Sequence, residues 1–292
     1  METASLVLKS DLIVSRQHNR EGIFFIIKDP STERFFRFKE IEAYIAQQCD
    51  GQTSTEVIHH RAKEKFNIDL TQENLTQFIT RLRGIGLLID KNSVPAIRRK
   101  NSDRFKGDIF YLRCPLFNPD KFFDWLLPRV HFLFKPAVLF MCAGLIMLAV
   151  NITIISWGTI MHEFYGLLKL EFFVQAWLIM LGVVTLHEFA HGLTCKHFGG
   201  HVREMGFMLI YFQPALYCNV SNAWLFPKKA HRMWVTFAGA FFEISLWAIA
   251  TITWRVTDPG TTVNHFALVV TVTSAFKIFF NMNPLIKLDG YY

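Results

Sequence analysis

The stretch GVVTLHEFAHGLTCKHFGG, Gly182 to Gly200, decides the fold. It reads as the inner part of a membrane span, yet it carries His187, Glu188 and His191. Ionisable side chains are costly inside a span and are usually functional there. Histidines four apart on a helix share a face, about one turn apart. Two neutral imidazoles so placed can grip a single Zn2+, and a glutamate directly after the first can serve as general base. The tripeptide HEF also occurs at 162–164, but Gly166 stands there where the second histidine would be. His162 and Glu163 therefore read as ordinary residues of an outer loop.

Working outward, charge divides the 292 residues in two. Residues 1–135 hold 22 of the 31 Lys and Arg and 17 of the 24 Asp and Glu, which leaves the rest strongly apolar. Pro136 to Met161 is a run of 26 residues without Asp, Glu, Lys or Arg. About 20 suffice to cross a bilayer, so this is a first span. Phe172–Cys195 is a second, Met233–Trp254 a third broken by Glu243, and Asn264–Ile286 a fourth broken by Lys277. A lone buried charge is expensive, so Glu243 and Lys277, each about 15 Å deep by helical rise, are expected to pair. Between spans two and three, GFMLIYFQPALYCNVSNAWLFP is interrupted by Pro214, Asn219, Ser221 and Asn222. It is expected to be a re-entrant or hairpin segment, lining a cavity or buried in protein. Arg203, Lys228, Lys229 and Arg232 flank that segment, whereas the outer loops offer only Lys169 and Arg255. The positive-inside bias then puts both ends of the chain in the cytoplasm. His187, His191 and Asp289 fall near the inner ends of their spans and can meet.

The polar half reads as a hairpin (IFFIIK, turn DPSTER, FFRF), three helices and a short strand, LLID. Thr53 and Glu56 fit a capping box at the second helix, and His59 and His60 read as exposed. This winged-helix-like pattern, over about residues 20–90 with DGQTSTEVI and LRGIGLL, resembles the RiPP recognition element. That resemblance implies binding of a peptide or partner protein by strand addition. Nucleic acid is not expected, because the third helix carries only Glu73, Arg81 and Arg83 as charges. Residues 91–106 hold six basic residues and one acid, a linker suited to a cytoplasmic membrane surface. NPDKFFDWLLPRVHFLF, capped by Asn118, reads as a helix lying on the interface. The N-terminus lacks the pattern of a signal peptide. Five cysteines without a CxxC pair exclude a disulfide framework or a Cys-based zinc ribbon.

A zinc site needs a third ligand. Glu204, His197 and His201 lie nearby in sequence, and Asp289 lies far off in FNMNPLIKLDGYY. HEFAH at 187–191, with Asn283-Pro284 followed by Leu288-Asp289-Gly290, resembles the two signature motifs of the site-2 protease family of intramembrane zinc metallopeptidases. The segment from Gly199 to Glu243 is similar to bacterial peptide zinc metalloproteases. The resemblance covers about residues 105–292. It implies His187, His191 and Asp289 as zinc ligands, Glu188 as catalytic base and Asn283 as a substrate-positioning residue. It also implies a bacterial inner-membrane protein that processes a membrane or membrane-delivered peptide, alongside an exporter or peptide-modifying partner. Two departures stand out: Asn219 and Asn222 occupy positions where relatives often carry acids, and family members continue well beyond Asp289.

The expected architecture is a multi-pass α-helical membrane protein of about four transmembrane helices plus a re-entrant or hairpin segment, with an N-terminal α+β winged-helix-like cytoplasmic domain. Residues 1–95 form that domain, 96–135 the basic linker and interfacial helix, and 136–292 a metallopeptidase domain truncated at its C-terminus. The expected function is zinc-dependent endopeptidase activity. A catalytically inactive relative acting as scaffold or peptide-binding subunit is the alternative. A membrane oxidase would need further histidine boxes that the apolar half lacks, and a zincin using Glu204 would make Asp289 dispensable.

Overall fold

The computed structural model describes residues 6–19, 22–90, 111–210 and 213–281. The chain clusters into two compact units, residues 1–102 with 224–228, and residues 103–223 with 229–292.

In the first unit, β1 (Leu6–Leu8) precedes an antiparallel meander of β2 (Ile13–Asn19), β3 (Gly22–Asp29) and β4 (Arg34–Lys39). Helices α1 (Glu40–Gln48), α2 (Thr55–Phe66) and α3 (Gln72–Gly84) follow, and β5 (Leu88–Asp90) returns antiparallel to β1. The small antiparallel sheets with helices extend the expected hairpin by β1 and β2. Alternation in β2 is hidden because its buried positions are Ser15 and Gln17, not apolar residues. Both side chains donate, at 2.6 Å each, to the carbonyls of Leu225 and Trp224 in the same unit. The turn between β3 and β4 closes on Asp29, which accepts from Ser31, Thr32 and Lys9. Burial opposes the charge, but these bonds outweigh it and hold the carboxyl at about 2. The cap of α2 is Ser54, accepting from the Val57 amide, and not Thr53. Thr53 is spent on Asp50, to which its amide and hydroxyl donate at 2.7 and 2.9 Å. His60 is exposed as expected, but His59 is half-buried, with a ring nitrogen 2.5 Å from the Leu70 carbonyl. Ala46, Ala62, Leu75, Leu82 and Leu87 are wholly buried and form the helical core against Ile27 and Phe38. Gly86, at φ 79°, turns the chain out of α3 into β5.

The second unit begins with β6 (Tyr111–Phe117), then α4 (Asp120–Val130), α5 (Pro136–Ile155), α6 (Trp157–Leu167) and α7 (Leu170–His197). A hairpin of β7 (Met205–Ile210) and β8 (Gln213–Cys218) precedes α8 (Lys229–Val256) and α9 (Thr262–Asn281). Four of these helices, α5, α7, α8 and α9, are long and apolar enough to cross a membrane. α5 is apolar all round, with Ile155 83 % exposed and Phe140 78 % exposed, so it needs an apolar surrounding that the described residues do not supply. The interrupted segment between α7 and α8 forms the β7–β8 hairpin, and β6 completes a three-stranded antiparallel sheet in the order β6-β7-β8. β6 falls where a linker was the expectation. Gly206 permits the close pairing, because a Cβ there would lie 2.2 Å from the Cys114 carbonyl oxygen.

α6 corrects the reading of the first HEF. Ile160, Met161 and Phe164 pack with Trp254 and Leu268, and Glu163 accepts from the Trp254 indole N–H at 2.8 Å. His162 and Glu163 thus stand on a packed helix, not in a loop. The apolar run simply continues past a break at Ser156. α8 is the central helix, packing against α5, α7 and α9. Its buried Ala238, Gly239 and Ala240 let neighbouring elements approach closely. Two buried hydroxyls of α8 and α9 are satisfied within their own helices: Thr251 donates to the Trp247 carbonyl and Thr271 to that of Ala267, both at 2.8 Å.

Candidate metal centre

The HEFAH residues lie in the C-terminal half of α7, where spacing puts His187 and His191 on the face turned to α8. Both imidazoles are buried, 4 % and 6 % exposed, and their Nε2 atoms are 3.0 Å apart. His191 Nδ1 lies 2.6 Å from the Val235 carbonyl oxygen. A carbonyl can only accept, so Nδ1 carries the proton and Nε2 presents a bare lone pair. His187 Nδ1 lies 3.3 Å from Glu243 Oε1, a charge contact without hydrogen-bond geometry. With the His187 proton on Nδ1, beside the carboxylate, two lone pairs would face each other and repel unless a cation sat between them; with it on Nε2, the pair would share an N–H···N bond.

That arrangement fits zinc. Zn–N bonds of about 2.0–2.1 Å at a tetrahedral angle put two ligand nitrogens about 3.3 Å apart. Gly239 on α8 makes the room, since a Cβ there would lie 2.4 Å from Nε2 of both His187 and His191. Hydrogen bonds or charge contacts on the outer nitrogens, which fix ring orientation, are what metal-ligating histidines ordinarily have.

Glu243 has a second tie. It is fully buried, and Lys277 on α9 donates to the same Oε1 that faces His187. The expected ion pair is present, and it touches the histidine site. Glu243 Oε2 has no hydrogen-bond partner among the described residues. Glu188 is half-buried beside the end of β8. Burial, and then the charge of Glu188, push the Cys218 thiol well above the usual thiol range.

The C-terminal end of α7 is fixed by Asp120 on α4. Its Oδ1 accepts from Lys196 Nζ at 3.0 Å and from the Val202 amide at 2.8 Å, and Oδ2 lies 3.2 Å from His201 Nδ1. Burial works against the charge, but the Val202, Lys196 and His201 bonds prevail and hold the carboxyl below its ordinary value. Phe123, one turn on from Pro119, is wholly buried against Gly192, where a Cβ would lie 2.5 Å from its ring.

The three nearby candidates for a third ligand are engaged elsewhere. His197 stacks on Phe134 with ring centroids 4.0 Å apart, His201 faces Asp120, and Glu204 accepts from the Tyr217 hydroxyl. Among the described residues, no three His, Cys, Asp or Glu gather as a metal-ligand set. Asp289 and Asn283 lie outside the described residues. Reading the sequence alone misses Gly239, the Val235 carbonyl and the contact of Glu243 with His187. Only the acid inside the span gave a signal. Comparison with protein-family models, with curated proteins and with solved structures finds no match.

Proposed function

We propose that the chain is a membrane-embedded zinc metalloendopeptidase of the site-2 protease type. One observation carries the reading. Two buried imidazoles, one with its outer nitrogen on the Val235 carbonyl and the other facing the Glu243 carboxylate, bring their Nε2 atoms to 3.0 Å opposite a glycine. With the His187 proton on Nδ1, such a pair suits a metal better than a packed core, which would not set two acceptors face to face. His187 and His191 would hold Zn2+ with Asp289 as third ligand. Bound there, zinc supplies a Lewis acid that lowers the pKa of water toward 7 and polarises a carbonyl oxygen.

Glu188, half-buried and one residue off the histidine face, takes up the proton that water gives up as it attacks the scissile carbonyl. It then returns a proton to the departing amine nitrogen. Asn283 orients the substrate. A helical substrate hides its amides in its own hydrogen bonds, so it must unwind first. The outer edge of β8, which packs against α7, is a ready template for holding it extended. The four long apolar helices span a bacterial inner membrane, and the α4 helix lies on its surface. The first unit is a winged-helix-like domain on the cytoplasmic side, recruiting a peptide or a partner such as an exporter.

Zinc content tests the reading. Detergent-purified wild type should carry equimolar zinc, and His187→Ala and Asp289→Ala should not. Equal metal in all three proteins overturns it.

A further inference from the structure

An ion pair between α8 and α9 would be complete with Glu243 and Lys277 alone. Here the same carboxylate oxygen also faces His187 Nδ1, so one atom joins three helices. The acceptor for His191 is different in kind, a backbone carbonyl that α8 cannot withdraw. The contact that His187 Nδ1 makes with Glu243 is instead to a side chain with rotatable bonds. Something must hold that side chain in place. Lys277 does, by binding the oxygen that His187 uses and balancing the charge of a fully buried carboxylate. Gly239, one turn before Glu243 on α8, leaves the space into which both rings turn.

We infer that Glu243 is a positioning residue for His187. Anchored by Lys277, it fixes the ring so that Nε2, and not Nδ1, meets the metal. The pair is thereby the outer support of the metal site and not merely a bond between two helices. This inference rests on the zinc reading above, and Lys277 and Glu243 would contact neither metal nor substrate.

The test measures metal binding in detergent, apart from any hydrolysis. Zinc affinity is determined by competition with a chromophoric chelator for wild type, Glu243→Ala, Glu243→Gln and Lys277→Met. Cobalt(II)-substituted protein is compared by its visible absorption. Loss of a supporting carboxylate typically weakens metal binding 10–100-fold. Glu243→Ala should fall in that range and shift the cobalt bands, because the ring is free to reorient. Glu243→Gln keeps an amide oxygen for Nδ1–H and should recover much of the affinity. Lys277→Met should lie between the two. If Glu243→Ala does not fold, Glu243→Gln and Lys277→Met decide the matter by the same two readouts. Wild-type affinity with an unshifted cobalt spectrum in the variants overturns the inference and leaves the zinc reading standing. Failure of the wild type itself to bind zinc overturns the zinc reading instead.

Discussion

Gly239 shows how much a single missing Cβ can decide. The atom would lie 2.4 Å from both Nε2 positions, so no small adjustment of one ring relieves the clash. Gly239→Ala should lower thermal stability by about 1–3 kcal/mol, as overpacking does. It should also abolish stoichiometric zinc, since the rings must turn away from each other. Unfolding in detergent and metal analysis read the two effects separately, and unchanged metal would show that the rings do not need this space. Glu188→Gln should behave in the opposite way. It keeps the shape but cannot take a proton, so zinc stays while peptide hydrolysis falls by about 10²–10⁴-fold. At this scale the sequence was legible where the signal is local. His187, Glu188 and His191 are recognisable because helical spacing alone puts the two histidines on one face. Gly239 was not, because its value depends on which face of α8 meets α7, and no periodicity states that.

Between elements, the pair joining α8 and α9 was legible from depth alone, since two opposite charges at equal depth in apolar helices have few other partners. Its third member was not, because His187 already had an explanation. The pair makes a prediction about stability. Lys277→Met leaves Glu243 buried without its cation and should cost about 3–5 kcal/mol. The double change Lys277→Met with Glu243→Gln should cost clearly less than the sum of the singles, with a coupling of about 1–3 kcal/mol. Additive unfolding free energies would mean that the two side chains do not depend on each other. The β3–β4 turn offers a second test. Asp29 has its carboxyl held at about 2 in the folded chain, below its ordinary 3.8. A depressed carboxylate contributes stability that is present above its unfolded pKa and lost as pH falls through the folded one. The stability gap between wild type and Asp29→Asn should therefore be full above about pH 4 and close as pH falls toward about 2. A gap that stays constant over that range would remove the carboxylate as its source. This turn was legible from Asp29-Pro30. By contrast β1, β2 and β6 were hidden, because short strands whose buried positions are polar, or whose partners lie far along the chain, carry no period of their own.

For the whole molecule, the decisive fact is outward-facing apolar surface. α5 has the highest mean hydropathy of the four long helices, 2.5, and the least buried surface. Phe279 on α9 is 72 % exposed and Ile154 on α5 is 70 % exposed, with no polar face to offset them. A water-soluble chain does not leave that much contiguous apolar area bare. Lipid is the solvent that such helices match, and backbone hydrogen bonding within each helix meets its demands. Basic residues then set the direction. Arg203, Lys229 and Arg232 lie at one end of α7 and α8, and the turn between α8 and α9 has Asp258 with Pro259 and Gly260 in place of a cluster of cations. The positive-inside bias therefore predicts the α8–α9 turn outside and the histidine end of α7 toward the cytoplasm. Thr262 and Lys229 are both exposed, so each can report its side as a single cysteine change. In intact cells a membrane-impermeant maleimide should label Thr262→Cys, with wild type as background. Lys229→Cys should react only after the membrane is opened. The opposite pattern would invert the orientation and move the histidine pair to the outer face. Labelling of both without opening the membrane would show that the four helices do not cross it.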